Sequence, residues 1–164
     1  MAMRQLKLRK AHQGVTLIEL MVAITVLAIL AGVGVPAFQR LTAEYRVNSQ
    51  ANATQATVQF ARSEALKRRS DVMICRAGPA MVVLEGNTCN GADIGDADNL
   101  LVMPIDARVA LDGVPGAGLR FAANGFTVPF AVRNIDVSDP GGIVDTRRVR
   151  LLGSGFSEII RVGS

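Results

Sequence analysis

Residues 20–37 read LMVAITVLAILAGVGVPA, and this uncharged run decides the architecture of the chain. As an α-helix, a run of this length spans ~27 Å, close to the ~30 Å hydrocarbon core of a bilayer. Four basic residues precede it within the first ten positions, namely Arg4, Lys7, Arg9 and Lys10. The positive-inside rule therefore predicts a single-pass helix with a cytoplasmic N-terminus and a C-terminal part outside the membrane.

A secretory signal peptide is the alternative interpretation of this segment, since Val35, Pro36 and Ala37 offer a small-x-small cleavage site. The apolar run is longer than the usual h-region of ~7–15 residues. Glu19 also lies inside the apolar segment that begins at Val15, and a carboxylate there costs about 2.5–3.5 kcal/mol on insertion scales. A partner that neutralises Glu19 explains the residue better than a cleaved signal peptide does.

The composition argues for one domain and against an enzyme. The chain has 164 residues and a formal net charge of +4, and without the basic N-terminal end its basic and acidic residues are equal in number. Its one histidine, His12, lies in that end, so the rest supplies no Ser-His-Asp or Cys-His catalysis and no His-ligated zinc site. The sequence also has no G-x-x-x-x-G-K-[ST] phosphate loop. We predict a non-enzymatic protein with no cofactor and no metal.

Residues 14–20, GVTLIEL, resemble the class III signal of type IV pilins and type II secretion pseudopilins. The resemblance implies that a prepilin peptidase cuts between Gly14 and Val15 and then methylates the new amine of Val15. The family usually has Phe at the position of Val15, a departure that bears on methylation more than on cleavage. The resemblance further implies a protein of the bacterial inner membrane with its head in the periplasm, incorporated into a pilus or pseudopilus.

Glu19 and three weak helix positions are the candidate assembly residues of this segment. In a filament, the new amine of one subunit can neutralise the Glu19 carboxylate of its neighbour, which predicts that Glu19 sets subunit register, because a desolvated charge is costly to leave unpaired. Gly32, Gly34 and Pro36 are predicted to allow a bend or local melting of the helix. Simple tolerance of the glycines within a membrane helix is the alternative.

The sequence divides into four predicted segments: a leader peptide over 1–14, a transmembrane or filament-core helix over 15–37, an amphipathic helix over 38–70 and a β-rich head over 71–164. One face of the amphipathic helix is formed by mostly small residues at helical spacing, namely Val47, Ala51, Thr54, Val58, Ala61 and Ala65. This face is predicted to pack on the head, with a helix–helix filament contact as the alternative. The fold class is α+β, a long N-terminal helix packed against an antiparallel β-sheet head.

Short apolar runs and turn dipeptides predict the strands of the head. The predicted strands are 71–75, 81–84, 100–103, 108–111, 118–121, 127–132, 147–152 and 158–162. Cys75 and Cys89 lie outside the cytoplasm in the predicted topology, where disulfides persist. A bridge between them is predicted, with two free buried thiols as the alternative.

A narrower resemblance extends over nearly the whole chain. Residues 59–65 (QFARSEA), 72–75 (VMIC), 119–125 and 147–151 (RRVRL) resemble the GspH/FimT group of minor pilins and pseudopilins. The group's fold implies two antiparallel sheets packed on the helix. Its members either prime type IV pilus assembly near the tip or sit at the tip of the secretion pseudopilus. The implied partners are other minor and major pilins or pseudopilins, the prepilin peptidase and an assembly platform in the inner membrane.

Two charged regions leave alternatives open. Arg147, Arg148, Arg150 and Arg161 form a candidate DNA contact, since some FimT-like proteins bind DNA through basic residues near the C-terminus; a solvated strand edge that discourages aggregation is the alternative. The chain lacks the Gly-Arg-x-Arg ending associated with that role. Four acidic residues follow Cys89, namely Asp93, Asp96, Asp98 and Asp106. Their spacing does not match that of a calcium-binding loop. They predict a solvated loop or a contact with the basic surface of a neighbouring subunit.

These features give three candidate functions. The first is a minor pilin of the FimT/FimU kind, which the chain length and the helix end favour. The second is the GspH-type minor pseudopilin of type II secretion. The third is a DNA-binding minor pilin for natural transformation.

Overall fold

The computed structural model describes residues 15–89, 95–96 and 98–163. Gly14, the leader and Asp93 lie outside the described residues. Within them the chain forms one long helix, α1, followed by short strands, and it divides into two compact units, the first ending at Phe38 and the second beginning at Gln39.

The helix α1 runs from Leu17 to Arg68 without interruption. Thr16 caps its start, because the Thr16 Oγ1 accepts a hydrogen bond from the Glu19 backbone N–H at 3.3 Å. Lys67 and Arg68 lie in the last turn, where cations interact favourably with the helix dipole. The helix is long and apolar enough to cross a membrane, with a mean hydropathy of 2.4 over its most apolar window.

The second unit contains two antiparallel sheets. Its strands are β1 (Val72–Ala77), β2 (Ala80–Glu85), β3 (Asn99–Pro104), β4 (Ala110–Asp112), β5 (Leu119–Phe121), β6 (Thr127–Val128), β7 (Arg133–Ser138), β8 (Thr146–Leu151) and β9 (Ser157–Val162). The first sheet has the order β3-β2-β1-β5-β6, and the second has the order β4-β7-β8-β9. The α+β prediction with an antiparallel head is confirmed.

The core lies between the sheets and the residue 39–68 part of α1. All six positions of the predicted small-residue face are buried, and the large side chains packed with them include Ile74, Met81, Phe121 and Ile135. Small residues on the helix allow its backbone to approach the sheets closely, and the strands supply most of the apolar volume. The face therefore forms domain core.

Polar side chains also connect α1 to both sheets. The Asp106 backbone N–H donates to Gln50 Oε1 at 3.1 Å beyond the end of β3, and Gln55 Nε2 donates to the Ser157 carbonyl of β9 at 2.9 Å. Gln50 is itself buried, so these bonds satisfy groups that would otherwise lose their water partners.

The prediction of a strand over 127–132 is wrong for most of its length. Pairing stops after Val128, because Pro129 has no backbone N–H to donate, and the following Phe130 and Val132 are exposed. The sequence analysis missed β7, which pairs with both β4 and β8. Its Ile135 and Val137 are buried while the alternate residues are not, which is the period of a strand with one face in the core.

Candidate subunit-assembly site

The first unit presents an apolar helical surface with one carboxylate. Every described residue from Val15 to Phe38 is exposed, and Glu19 in the first helical turn is the charged residue among them. An exposed apolar surface of this extent is suited to lipid or to the apolar helices of other subunits. Val15 lies just before the helix, close in sequence to Glu19, at the end that cleavage after Gly14 would free.

The helix is continuous through Gly32, Gly34 and Pro36. An alanine Cβ at either glycine would meet no atom within 4 Å, so neither glycine is required by packing in this unit. The bend predicted for the three positions stays a prediction.

The predicted disulfide is present between Cys75 and Cys89. Cys75 lies on β1 and is buried beside Met73 and Val82, on the face of the first sheet that α1 does not cover. The bridge fastens the segment after β2 to this face, where Cys89 also lies against Gly118.

The basic strand β8 is neutralised by carboxylates on neighbouring elements. Arg148 donates from Nε and Nη2 to Asp136 of β7 at 2.6 and 2.8 Å, and Arg150 Nε donates to Glu158 of β9 at 2.7 Å. The two hydrogen bonds from Arg148 lower the pKa of Asp136 and raise that of Arg148. Both pairs lie on the outer face of the second sheet, because Arg148 and Arg150 are two residues apart on β8 and therefore share a face.

Arg147 faces the other way, toward α1. Its Nε donates to Asn48 Oδ1 at 2.6 Å, and its Nη2 lies 3.5 Å from Glu44 Oε1. Arg161 on β9 reaches the same carboxylate at 3.7 Å and Asp145 at 3.7 Å.

All four arginines of the candidate DNA contact therefore lie within 4 Å of a carboxylate. Paired guanidinium groups attract a phosphate backbone less than free ones, because the adjacent carboxylates repel it. DNA binding through these residues stays a prediction, tested by salt-dependent binding of DNA and its loss in Arg148→Ala/Arg150→Ala.

The basic residues at the end of α1 also form ion pairs. Glu64 accepts hydrogen bonds from Lys67 and Arg68, and Arg68 also reaches Glu85 of β2. Hydrogen bonds from the two cations lower the pKa of Glu64.

Aromatic residues on two turns form a surface that the sequence analysis missed. Phe126, Phe130 and Phe156 are exposed, although all three follow or lie within apolar stretches that indicate core positions. The available signal was the repeated pattern Gly-Phe-Thr and Gly-Phe-Ser, each after a turn residue, which places one phenylalanine at the same position of two turns. Among the described residues, no group of three potential ligands from His, Cys, Asp and Glu is arranged to hold a metal ion.

A membrane-length apolar helix that continues as the core helix of a two-sheet antiparallel domain defines a pilin-like protein. Residues 50–155 match the family model described as type II transport protein GspH, and residues 9–35 match the prokaryotic N-terminal methylation motif. The chain belongs to the GspH family and is a minor pilin or pseudopilin, in agreement with the resemblance seen in the sequence. Comparison with curated protein sequences gives no match.

Two solved structures share this fold. The type IV minor pilin FimU of Pseudomonas aeruginosa PAO1 has a TM-score of 0.59 and 23% identity, over 73% of this chain and 92% of that one. The minor pseudopilin EpsH from the type 2 secretion system of Vibrio cholerae has a TM-score of 0.54 and 13% identity, over 73% of this chain and 99% of that one. The fold is thus common to pilus and secretion proteins.

Proposed function

We propose that the chain is a minor pilin that helps to prime type IV pilus assembly near the tip. In this proposal the precursor is held in the inner membrane by its apolar helix, with the head in the periplasm. A prepilin peptidase cuts after Gly14 and methylates Val15, and an assembly platform then delivers the subunit to other minor and major pilins. The protein acts by subunit contacts, without catalysis.

The observation that carries the proposal is the position of Glu19. It lies in the first turn of an exposed apolar helix, four residues after Val15, whose amine cleavage would free. A carboxylate in apolar surroundings is stabilised by an opposite charge. Processing creates such a charge, because it frees the N-terminal amine of a neighbouring subunit. Pairing between subunits would favour one axial register of the packed helices over others.

A GspH-type minor pseudopilin of type II secretion is the second candidate. The family model that matches the head is described as a type II transport protein, and EpsH has the same fold. The physical mechanism is the same for both candidates, since each requires a processed apolar helix, a register contact and a folded head. The two candidates differ in the assembly that contains the subunit, which is a type IV pilus in one and a secretion pseudopilus in the other.

Deletion and restoration of the gene test both candidates in one experiment. The amount of pilus sheared from the cells and the amount of secreted exoprotein are measured side by side. Loss of surface pili with normal secretion supports the pilus proposal. Normal pili with lost secretion contradicts it and supports the pseudopilin. If both survive, the assembly proposal fails, and transformation frequency is counted next.

A further inference from the structure

Two turns of the head have the same hydrogen bonds and are stacked on each other. In the first, the Ala122 N–H donates to the Phe126 carbonyl; in the second, the Leu152 N–H donates to the Phe156 carbonyl. Each contains a glycine with positive φ, 75° at Gly125 and 79° at Gly155. A Cβ at Gly155 would lie 2.3 Å from the Gly125 carbonyl oxygen, so the two turns touch through their backbones.

The stacked turns display a contiguous apolar surface, the turn patch, formed by Leu66, Phe126, Phe130 and Phe156. The side chains are 47%, 44%, 72% and 55% exposed, respectively. The Phe130 ring lies over Gly153 and packs edge to face with Phe126 at 5.9 Å, which holds it in place without burying it. Large apolar side chains that are exposed together are typical of interaction sites on soluble domains.

An arginine whose Nε has no hydrogen-bond partner among the described residues adjoins the turn patch. Arg62 Nε is buried and has no partner among the described residues, although Arg62 packs against Gly155. Arg62, Leu66 and Phe156 line an open groove of about 380 Å³. Arg62 makes no ion pair with a carboxylate among the described residues, so its charge beside the groove attracts a carboxylate from a partner.

We propose that the turn patch is a contact for the head of a neighbouring pilin, and that the bound segment carries a carboxylate beside apolar side chains. The inference rests on the proposed assembly function and names the surface and the chemistry of the partner. Aromatic residues and arginine dominate the binding energy of protein interfaces. The carboxylate is specified by Arg62, which lines the groove and is not paired with any carboxylate in the described part of the chain.

Charge separates this partner from other occupants. A second copy bound symmetrically through the patch would bring two Arg62 side chains together, which repel. Nucleic acids and anionic bilayers need several free cations, whereas Lys67 and Arg68 near the patch are already paired with Glu64.

Crosslinking in cells tests the identity of the partner. A photoreactive phenylalanine analogue is placed at position 156 of the full chain, with position 143 as the control, because Ile143 is likewise exposed and lies outside the patch. We expect light-dependent adducts from position 156 with another protein whose precursor carries a prepilin leader. Adducts with a second copy, with lipid or with nucleic acid would overturn the proposal, as would a yield no higher than that from position 143.

Incorporation tests the energetic role of the patch. Arg62→Gln and Phe156→Ser are compared with Ile143→Ser by the ratio of protein in filaments or pseudopilin complexes to protein in the membrane. Loss of an interface anchor predicts about a tenfold lower ratio for the two patch variants and an unchanged ratio for the control. A thermal unfolding midpoint equal to that of the unaltered chain checks that each variant keeps its fold.

The two proposals fail in different ways. If the unaltered chain is absent from both assemblies, the proposed function fails. If it is present and the patch variants incorporate normally, only the inference about the turn patch fails.

Discussion

At the scale of single residues, the cross-strand pair of Asp136 and Arg148 contributes to the pH dependence of the head's stability. Asp136 on β7 lies directly opposite Arg148 on β8, so the ion pair forms where strand register places it. Opposite charges at such positions stabilise a sheet modestly. The pair also fixes a direction for the pH dependence, because Arg148 lowers the pKa of Asp136.

We expect Asp136→Asn to reduce the stability of the head near neutral pH and to make little difference in strong acid. A depressed folded-state pKa contributes stability that is complete above the ordinary Asp value of ~3.9 and is lost as the pH falls through the folded value. Thermal unfolding of the full chain in detergent, followed from about pH 7 to about pH 2, measures the effect. Ser138→Ala on the same strand changes no charge and serves as control. The account would be contradicted if the unfolding temperatures of the variant and the unaltered protein still differed at a pH below both the folded and the unfolded pKa of Asp136.

Position 155 requires glycine because of its backbone conformation and because of the atoms that surround it. A side chain there is strained at φ 79° and would also meet the Gly125 carbonyl oxygen at 2.3 Å. Gly155→Ala should therefore lower the free energy of unfolding by about 2–4 kcal/mol. Gly116→Ala is the matched control, because nothing lies within 4 Å of its added methyl group. Equal unfolding midpoints for the two variants would show that the turns are not tightly stacked.

At the scale of elements, the sequence predicts the helix better than the sheets. Helical spacing of small residues over several turns depends on neighbours three and four positions apart, so the buried face of α1 is visible in the sequence alone. The pairing of β1 with β5 joins residues far apart in the chain, and no local pattern indicates it. The apolar stretch around Phe130 led to a strand prediction over 127–132, and β7 was missed because its two buried residues alternate with polar ones.

The close fit of α1 against the sheets makes its small residues sensitive to size. Ala61 is completely buried, so Ala61→Leu should destabilise the head by about 1–3 kcal/mol through overpacking. Ala56 lies on the exposed side of the same helix, and Ala56→Leu should change stability by less than about 0.5 kcal/mol. Urea unfolding monitored by circular dichroism distinguishes the two. Similar midpoints would mean that the helix face is not packed core.

The disulfide constrains the segment after β2. The cysteines are 14 residues apart, and closing a loop of that length stabilises a fold by about 3 kcal/mol in the chain-entropy model. Cys89→Ser breaks the bridge and leaves the buried Cys75 in place, so it should lower the unfolding midpoint. The reduced unaltered protein should unfold at the same midpoint as this variant, and no change on reduction would contradict the prediction.

At the scale of the whole molecule, the sequence revealed one candidate contact and missed another. Glu19 is conspicuous because a charge inside an apolar run has an evident cost. The turn patch is not, because phenylalanine near apolar residues ordinarily indicates core, and only the folded turns bring Phe126 and Phe156 together with Arg62. Likewise, the sequence shows the arginines of β8 but not the carboxylates on other elements that pair with them.

Glu19→Ala should be cleaved normally and yet enter filaments or pseudopilin complexes poorly, since the register contact is lost while the cleavage site is intact. Immunoblots of membrane and assembled fractions measure both steps, with uncleaved Gly14→Ala as the size standard for the precursor. Thr25→Ala removes a polar group from the same helix and should incorporate normally. Normal incorporation of Glu19→Ala would contradict the pairing proposal.

The side-chain bonds along α1 have a mechanical consequence. Within about two turns of the helix, Asn48, Gln50 and Gln55 connect it to β8, to the segment after β3 and to β9. Tension applied along the helix axis loads these connections in shear, so they share the force and must give way together. A helix peeled from one end would instead lose them one at a time, at lower force. We therefore expect the head to unfold at a higher force when its helix is pulled lengthwise than when the helix is peeled from one end.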